Sequence, residues 1–228
     1  MLIQIPGVLS NEQLAAAHAA LDAEGAPWVD GRVTSGHQGV RVKRNQQLDE
    51  ASPLARELGG MILSALESNA LFVSSALPYR VYPPMFNRYG DGMHFGTHVD
   101  GAIRSIRATG HKMRTDLSAT LFLTPPDAYD GGELIIESDF GSQRAKLSAG
   151  DLVVYSSASR HRVTTVTRGL RLAAVFWVQS FIRDDHQRVQ LFELDRTIQQ
   201  LTQSGADSDS LVRLAAHYHG LLRMWTET

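Results

Sequence analysis

Apolar residues recur at helical spacing at both ends of this chain and in short, broken runs between them. Near the start, Leu14, Ala17 and Leu21 mark one face of a helix. Ser10-Asn11-Glu12-Gln13 opens it as a capping box, with Ser10 capping and Gln13 closing three residues on, and Gly25 is expected near its end. Leu54, Leu58, Ile62 and Leu66 repeat the spacing, and Ser52-Pro53 places proline in a tolerated first turn. After Arg183, Asp184-Asp185 begins a third helix with Val189, Phe192, Leu194, Ile198 and Leu201 on its apolar side. A polar linker at 204–209 leads to a last helix marked by Leu211, Leu214, Tyr218, Leu221, Leu222 and Trp225.

From Leu71 to Gln179 the apolar runs shorten, become β-branched or aromatic, and are separated by Gly, Pro, Asp and Ser. Strands are expected over 80–82, 86–89, 117–123, 132–137, 144–147, 152–155, 162–166 and 171–178, with turns at Asp130-Gly131-Gly132 and Ala149-Gly150-Asp151. Eight short strands with this punctuation predict a double-sheet jelly roll. Flanking helices make the whole chain α+β. The expected organisation is an N-terminal helical flank (1–70), a jelly-roll core (71–183) and a C-terminal helical hairpin (184–228) packed against it.

Composition narrows the function. Hydrophobic content of 43% and charged content of 20% are ordinary for a globular chain, and a net charge of −2 supplies no basic field for nucleic acid. The absence of cysteine excludes disulfides, thiolate metal sites, iron–sulfur clusters and a cysteine nucleophile. Met1 to Pro6 has neither a basic n-region nor a long apolar core, and no apolar run reaches membrane-spanning length. A cytoplasmic protein without a membrane partner is expected.

The candidate chemistry centres on His98-Val99-Asp100. In an extended segment, residues two apart point the same way, so an imidazole and a carboxylate converge. That is two-thirds of the facial triad that suits non-haem Fe(II) and leaves coordination positions open. His161, just before the strand expected over 162–166, is the candidate third ligand. Arg171 begins an otherwise apolar strand; pointing inward, its planar guanidinium can hold a carboxylate bidentately. Arg168, its nearest rival, falls in a turn and is expected exposed. His94 is read as pocket-lining or surface. Arg41, Lys43 and Arg44 read as a solvated face. Arg104, Arg107, His111, Lys112 and Arg114 form either a solvated loop or a lid that attracts an anionic substrate.

These residues carry a family resemblance. His98-x-Asp100, His161 and Arg171 resemble the metal and co-substrate signature of Fe(II)/2-oxoglutarate dioxygenases. Phe86-Asn87-Arg88-Tyr89, the run from Arg114 to Leu123, Tyr129-Asp130-Gly131-Gly132-Glu133-Leu134, His161-Arg162-Val163-Thr164 and Phe176-Trp177-Val178-Gln179-Ser180 resemble the PKHD-type hydroxylases, related to prolyl and lysyl hydroxylases, in their bacterial PiuC/YbiX branch. The resemblance implies Fe(II) on His98, Asp100 and His161, and 2-oxoglutarate anchored by Arg171, with Tyr89 either hydrogen-bonded to it, as tyrosines near this position are in related hydroxylases, or a core tyrosine with its hydroxyl satisfied. It also implies dioxygen as oxidant, L-ascorbate as reductant and hydroxylation of a substrate C–H bond. Retention of Asp100 points to hydroxylation, since related halogenases lack that carboxylate. The substrate is a small molecule or a peptide, and the branch's association with iron uptake makes a siderophore-related molecule a candidate. Two alternatives stay open: a cupin-type metal enzyme, and a non-catalytic iron- and 2-oxoglutarate-responsive binding protein. Oligomeric state is not legible.

Overall fold

The computed structural model describes residues 2–34, 39–107, 109–138 and 141–227. Two antiparallel sheets face each other. The larger runs Leu2–Ile5, Leu152–Ser156, Leu117–Phe122, Arg171–Ser180, Met85–Tyr89, Gln46–Leu48 and Trp28–Asp30, with Pro78–Val81 also pairing to Arg171–Ser180. The smaller runs Gly141–Ala145, Leu134–Ser138, His161–Val163, His94–His98 and Lys43–Arg44. Between them, Phe122, Val153 and Tyr155 of the larger sheet meet Leu134, Ile136, Ala145 and Val163 of the smaller.

Arg171–Ser180 sits in the middle of the larger sheet and is buried along nearly its whole length. Leu172, Ala174, Phe176 and Val178 join the core on the helical side. Arg171, Val175 and Trp177, at alternate positions, line a cavity on the other. A strand covered on both faces reads as a continuous apolar run, as this one does. Its neighbour Leu117–Phe122 divides likewise: Leu117, Ala119 and Leu121 join the helical-side core, while Ser118 and Thr120 are buried polar groups at alternate positions.

Helices α1 (Asn11–Leu21) and α2 (Pro53–Glu67) cover the outer face of the larger sheet. The Ser10–Gln13 capping box is present in both directions, and Ser52 Oγ accepts from the Ala55 amide at 3.1 Å. Leu14, Ala17 and Leu21 of α1 join Ala55, Leu58, Ile62 and Leu66 of α2 in one core. α1 stops at Leu21, short of Gly25, with Asp22 as its C-cap.

Two findings correct the sequence reading. First, α3 (Ala70–Ala76) is helical where strand texture was expected to begin; Asn69 caps it, accepting from the Phe72 amide at 2.9 Å. A seven-residue apolar run does not declare its period, and here the cap decides. Second, the first 70 residues supply strands as well as helices: Leu2–Ile5, Trp28–Asp30, Lys43–Arg44 and Gln46–Leu48. These strands are two to four residues long, too short for alternation to show.

At the C-terminus, α4 (Asp185–Gln203) and α5 (Ser208–Trp225) form the expected hairpin, capped by Asp184 and Asp207. It docks on α3 and the end of the central strand. Leu191 packs with Leu77 and Ile182, and Tyr218, Leu221, Leu222 and Trp225 close over them. The Glu227 amide donates to Phe181 O at 2.8 Å. Arg188 is buried in this joint, donating to Ile182 O and pairing with Asp185. No described helix is long and apolar enough to cross a membrane.

Leu191 is fully buried, whereas Val212 on α5 is 68% exposed. Leu191→Ala should therefore cost about 2–4 kcal/mol in denaturant unfolding, and Val212→Ala less than about 0.5 kcal/mol. Equal, small effects would place the hairpin's stabilising contacts elsewhere.

Candidate active site

The site begins with a pairing across the smaller sheet. His98, last residue of His94–His98, lies directly opposite His161, first residue of His161–Val163. Beyond the strand, Val99 is half-exposed and Asp100 turns back inward. His98 Nε2 is 4.0 Å from Asp100 Oδ1, and His161 Nε2 is 3.7 Å from Asp100 Oδ2. One ligand atom from each lies within 4.8 Å of the others. Among the described residues this is the single cluster of its kind.

Neighbouring groups fix the donors. His98 Nδ1 donates to Gly96 O at 2.9 Å and His161 Nδ1 to Ser159 O at 3.0 Å. A carbonyl only accepts, so each Nδ1 carries the proton and each Nε2 keeps its lone pair toward the centre. Ser118 Oγ donates to Asp100 Oδ2 at 2.6 Å and is bonded to Ser157 Oγ at 2.8 Å. Phe95 stacks on the His98 ring at 3.6 Å, and the Tyr155 ring meets His161 edge-on at 5.2 Å. Burial, with His161 alongside, pushes His98 down to about 4 and keeps its imidazole neutral. Two imidazoles with their Nε2 atoms facing inward and a carboxylate, on one side of an open cavity, fit Fe(II).

The cavity measures about 350 Å³. Arg171 lies at one end, paired in register with Tyr89 and only 1% exposed. The rings of Tyr89 and Phe122 each lie 5.3 Å from its guanidinium carbon. Its Nε and Nη2 are buried without a hydrogen-bond partner among the described residues. A buried guanidinium without an anion is unfavourable, so this end of the cavity suits a carboxylate such as that of 2-oxoglutarate. Burial pushes the Tyr89 hydroxyl up to about 12, so it stays protonated and able to donate. Gly132 is required here: its φ is +65°, and a Cβ would lie 2.9 Å from the Tyr129 ring and 3.0 Å from Arg171 Cδ.

The structure brings His98, Asp100, His161, Arg171 and Tyr89 around one cavity. Arg168 stands outside it, exposed and paired with Asp130 at 2.7 Å. His94 Nδ1 turns to Gly92 O at 3.3 Å, away from the cavity lining. The basic segment forms a hairpin, Ile103–Ser105 against Lys112–Arg114. Arg107, His111 and Lys112 are exposed on it, but Arg104 enters the cavity wall. Lys43 overturns the solvated-face reading: it lines the cavity over the Phe95 ring at 5.2 Å, and burial pushes its ammonium down to about 8. Ser118 and Tyr155 were also missed. The alternation of Ser118 and Thr120 with Leu117, Ala119 and Leu121 was the available signal for an inner polar face.

Comparison with known proteins follows this geometry. A model of the 2OG-Fe(II) oxygenase superfamily matches residues 84–179, and one of the PKHD-type hydroxylase C-terminal domain matches residues 185–227. A PKHD-type hydroxylase from Burkholderia ambifaria is 58% identical over 228 residues, covering all of both chains. The chain belongs to the PKHD-type hydroxylases. A PKHD-type hydroxylase from Paraburkholderia phymatum is 57% identical over the same length. A Pseudomonas putida prolyl-4-hydroxylase shares the fold, with a TM-score of 0.54 at 20% identity, over 78% of this chain and 92% of that one. This PKHD-type hydroxylase is accordingly an Fe(II)- and 2-oxoglutarate-dependent enzyme with a His-Asp-His facial triad.

The His98 value carries a signed consequence for the metal-free protein. The ordinary value is 6.5 and the folded one about 4, so between them the unfolded chain binds more protons. This contribution to stability is full above the ordinary value and is lost as pH falls toward the folded one. The Tm of the metal-free protein should drop across that window, and His98→Gln should drop less. An identical drop in both proteins would contradict the assignment.

Proposed function

We propose that His98, Asp100 and His161 hold the iron, that Arg171 receives the distal carboxylate of 2-oxoglutarate with the Tyr89 hydroxyl beside it, and that substrate enters at the opposite end of the cavity. The buried, unpaired guanidinium of Arg171, in the same cavity as the triad, carries this reading. When bound, iron and co-substrate supply the oxidation: 2-oxoglutarate and dioxygen become succinate and CO2, and one oxygen atom enters a substrate C–H bond. The chain's own residues orient and enclose. Ser118, by donating to Asp100, fixes the carboxylate that faces the two Nε2 atoms. Arg171 offers a planar fork matched to a carboxylate. Phe95 and Tyr155 pack against the imidazoles and hold their ring planes.

In this reading 71–183 is the oxygenase core, flanked by 1–70 and 184–228, and L-ascorbate serves to keep the iron reduced. The prime substrate is a small molecule or a peptide side chain, with siderophore-related molecules a first group to test in a cytoplasmic setting. The fold accommodates both classes: one solved relative in fold is a prolyl-4-hydroxylase, and another, HygX of Streptomyces hygroscopicus, was solved with nickel, 2-oxoglutarate and hygromycin B bound.

Two experiments test it. With Fe(II), 2-oxoglutarate and ascorbate, the protein should form succinate slowly and only in oxygen, and Asp100→Ala should be far slower. Tight binding of both ligands without succinate above a metal-free control would make the protein a sensor instead. Arg171→Ala should weaken 2-oxoglutarate binding by about 2–5 kcal/mol while iron stays bound, and Arg171→Lys should recover part of that loss. Arg168→Ala should change neither; a loss there and not at Arg171 would move the anchor.

A further inference from the structure

The end of the cavity away from Arg171 carries charge of its own. Arg171 and Trp177 both face the cavity from one strand, six residues and so about 20 Å apart. Beside Trp177 lies Arg104, its guanidinium 3.9 Å from the centre of the indole's ring system and 5.0 Å from that of Tyr82. Lys43 reaches the same cavity from the facing sheet, on the strand paired with His94–His98. Arg104 lies close enough to Lys43 to disfavour the ammonium's charge.

Among the described residues neither cation has a carboxylate in direct contact, although Glu50, Asp100 and Asp30 act on Lys43 from a distance. Lys43 Nζ finds only a long contact, 3.5 Å, to Gln47 Oε1, and that oxygen already accepts from Thr34 Oγ1 at 2.6 Å. Arg104 Nε is buried without a hydrogen-bond partner among the described residues, and its Nη2 lies 3.9 Å from Met85 Sδ. Glu50 accepts from Gln47 Nε2 and the Tyr82 hydroxyl at 3.2 and 3.3 Å; it keeps its charge and acts on Lys43 from a distance, without an ion-pair contact. Asp100 lies in the same cavity, but as a candidate metal ligand its charge is directed to the iron. Around the two cations the wall combines apolar Met85, Phe95, Val99 and Trp177 with the polar side chains of Thr34 and Gln47 beside Lys43.

We infer that Lys43 and Arg104 form a second anion subsite, and that the prime substrate bears a carboxylate on an otherwise apolar body. The inference rests on the assignment of the Arg171 end to 2-oxoglutarate. Two separated cation sites at opposite ends of one cavity then sort two acids: the dicarboxylate co-substrate at Arg171, the substrate's acid at Lys43 and Arg104. The substrate's apolar part lies toward the triad. An ammonium above one ring and a guanidinium stacked on another hold an oxyanion between flat apolar walls.

The test is a fragment screen by ligand-observed NMR on the Zn(II)-loaded protein, using arylalkanoic acids and their primary amides as matched pairs, with and without saturating 2-oxoglutarate. Calorimetry first establishes that wild type binds 2-oxoglutarate; a failure there falls on the Arg171 assignment alone. The acids should bind with 2-oxoglutarate present, and the amides should not match them. Lys43→Met and Arg104→Met keep the apolar stems, and each should weaken acid binding by about tenfold or more without altering the 2-oxoglutarate isotherm. Melting curves verify that both variants are folded. The inference is overturned if acids and amides bind alike, if 2-oxoglutarate displaces the acids, if no acid binds, or if folded variants bind acids as wild type does.

Discussion

One antiparallel pairing, His98 opposite His161, sets the geometry on which the rest of the site depends. Residues 63 positions apart in sequence become neighbours because two short strands share a register. A slip of one residue would turn every side chain of His94–His98 to the other face and send both His98 and Asp100 away from His161. Register is held by what lies around it: Val163 opposite Phe95 on one side, and Leu134 and Ile136 opposite Val163 and His161 on the other. The backbone carbonyls of Gly96 and Ser159 then fix each imidazole, so the metal-facing nitrogens are set before any ligand arrives.

The inner faces of the two sheets hold far more polarity than a packing core would favour. Arg171, Asn87, Gln47, Ser118, Thr120 and His161 are all buried. Some of this is satisfied internally, as in the Ser157–Ser118–Asp100 chain and the Asn45–Asn87 bond at 2.9 Å. The Arg171 guanidinium is not. Such a cavity is sustained by the opposite face of the same strands, where Leu172, Ala174, Phe176 and Val178 join α1 and α2 in an apolar core. The strand that is most buried thus has two faces: an apolar core on its helical side and a guanidinium without an ion-pair partner among the described residues on its inner side.

Much of this was legible from residues alone. Helices with a full apolar stripe and a capping residue announced themselves, as at Ser10, Ser52 and Asp184, because spacing and cap are both local signals. The triad was legible through the i, i+2 geometry of His98 and Asp100, and the inward placement of Arg171, though not its role, through the anomaly of an arginine opening an apolar strand. What escaped depended on long-range pairing. Lys43 looks like a surface cation until the strand Lys43–Arg44 pairs with His94–His98 and carries it over Phe95. Arg104 sits in a basic run whose other members are mostly exposed, and only contact with Trp177, 73 residues later, separates it from them. Strands of two or three residues have no period to read, so Lys43–Arg44 at one edge of the smaller sheet and Gln46–Leu48 and Trp28–Asp30 at one edge of the larger were invisible in the pattern.

The central claim is that one cavity holds iron on three side chains and a dicarboxylate on Arg171. An anaerobic crystal structure with Fe(II) and 2-oxoglutarate tests it most directly. The account requires iron bonded to His98 Nε2, His161 Nε2 and an Asp100 oxygen, with the distal carboxylate of 2-oxoglutarate on Arg171 and the Lys43–Arg104 end left free. Iron bound through other side chains, or 2-oxoglutarate seated on Lys43 and Arg104 with Arg171 still unpaired, would contradict it.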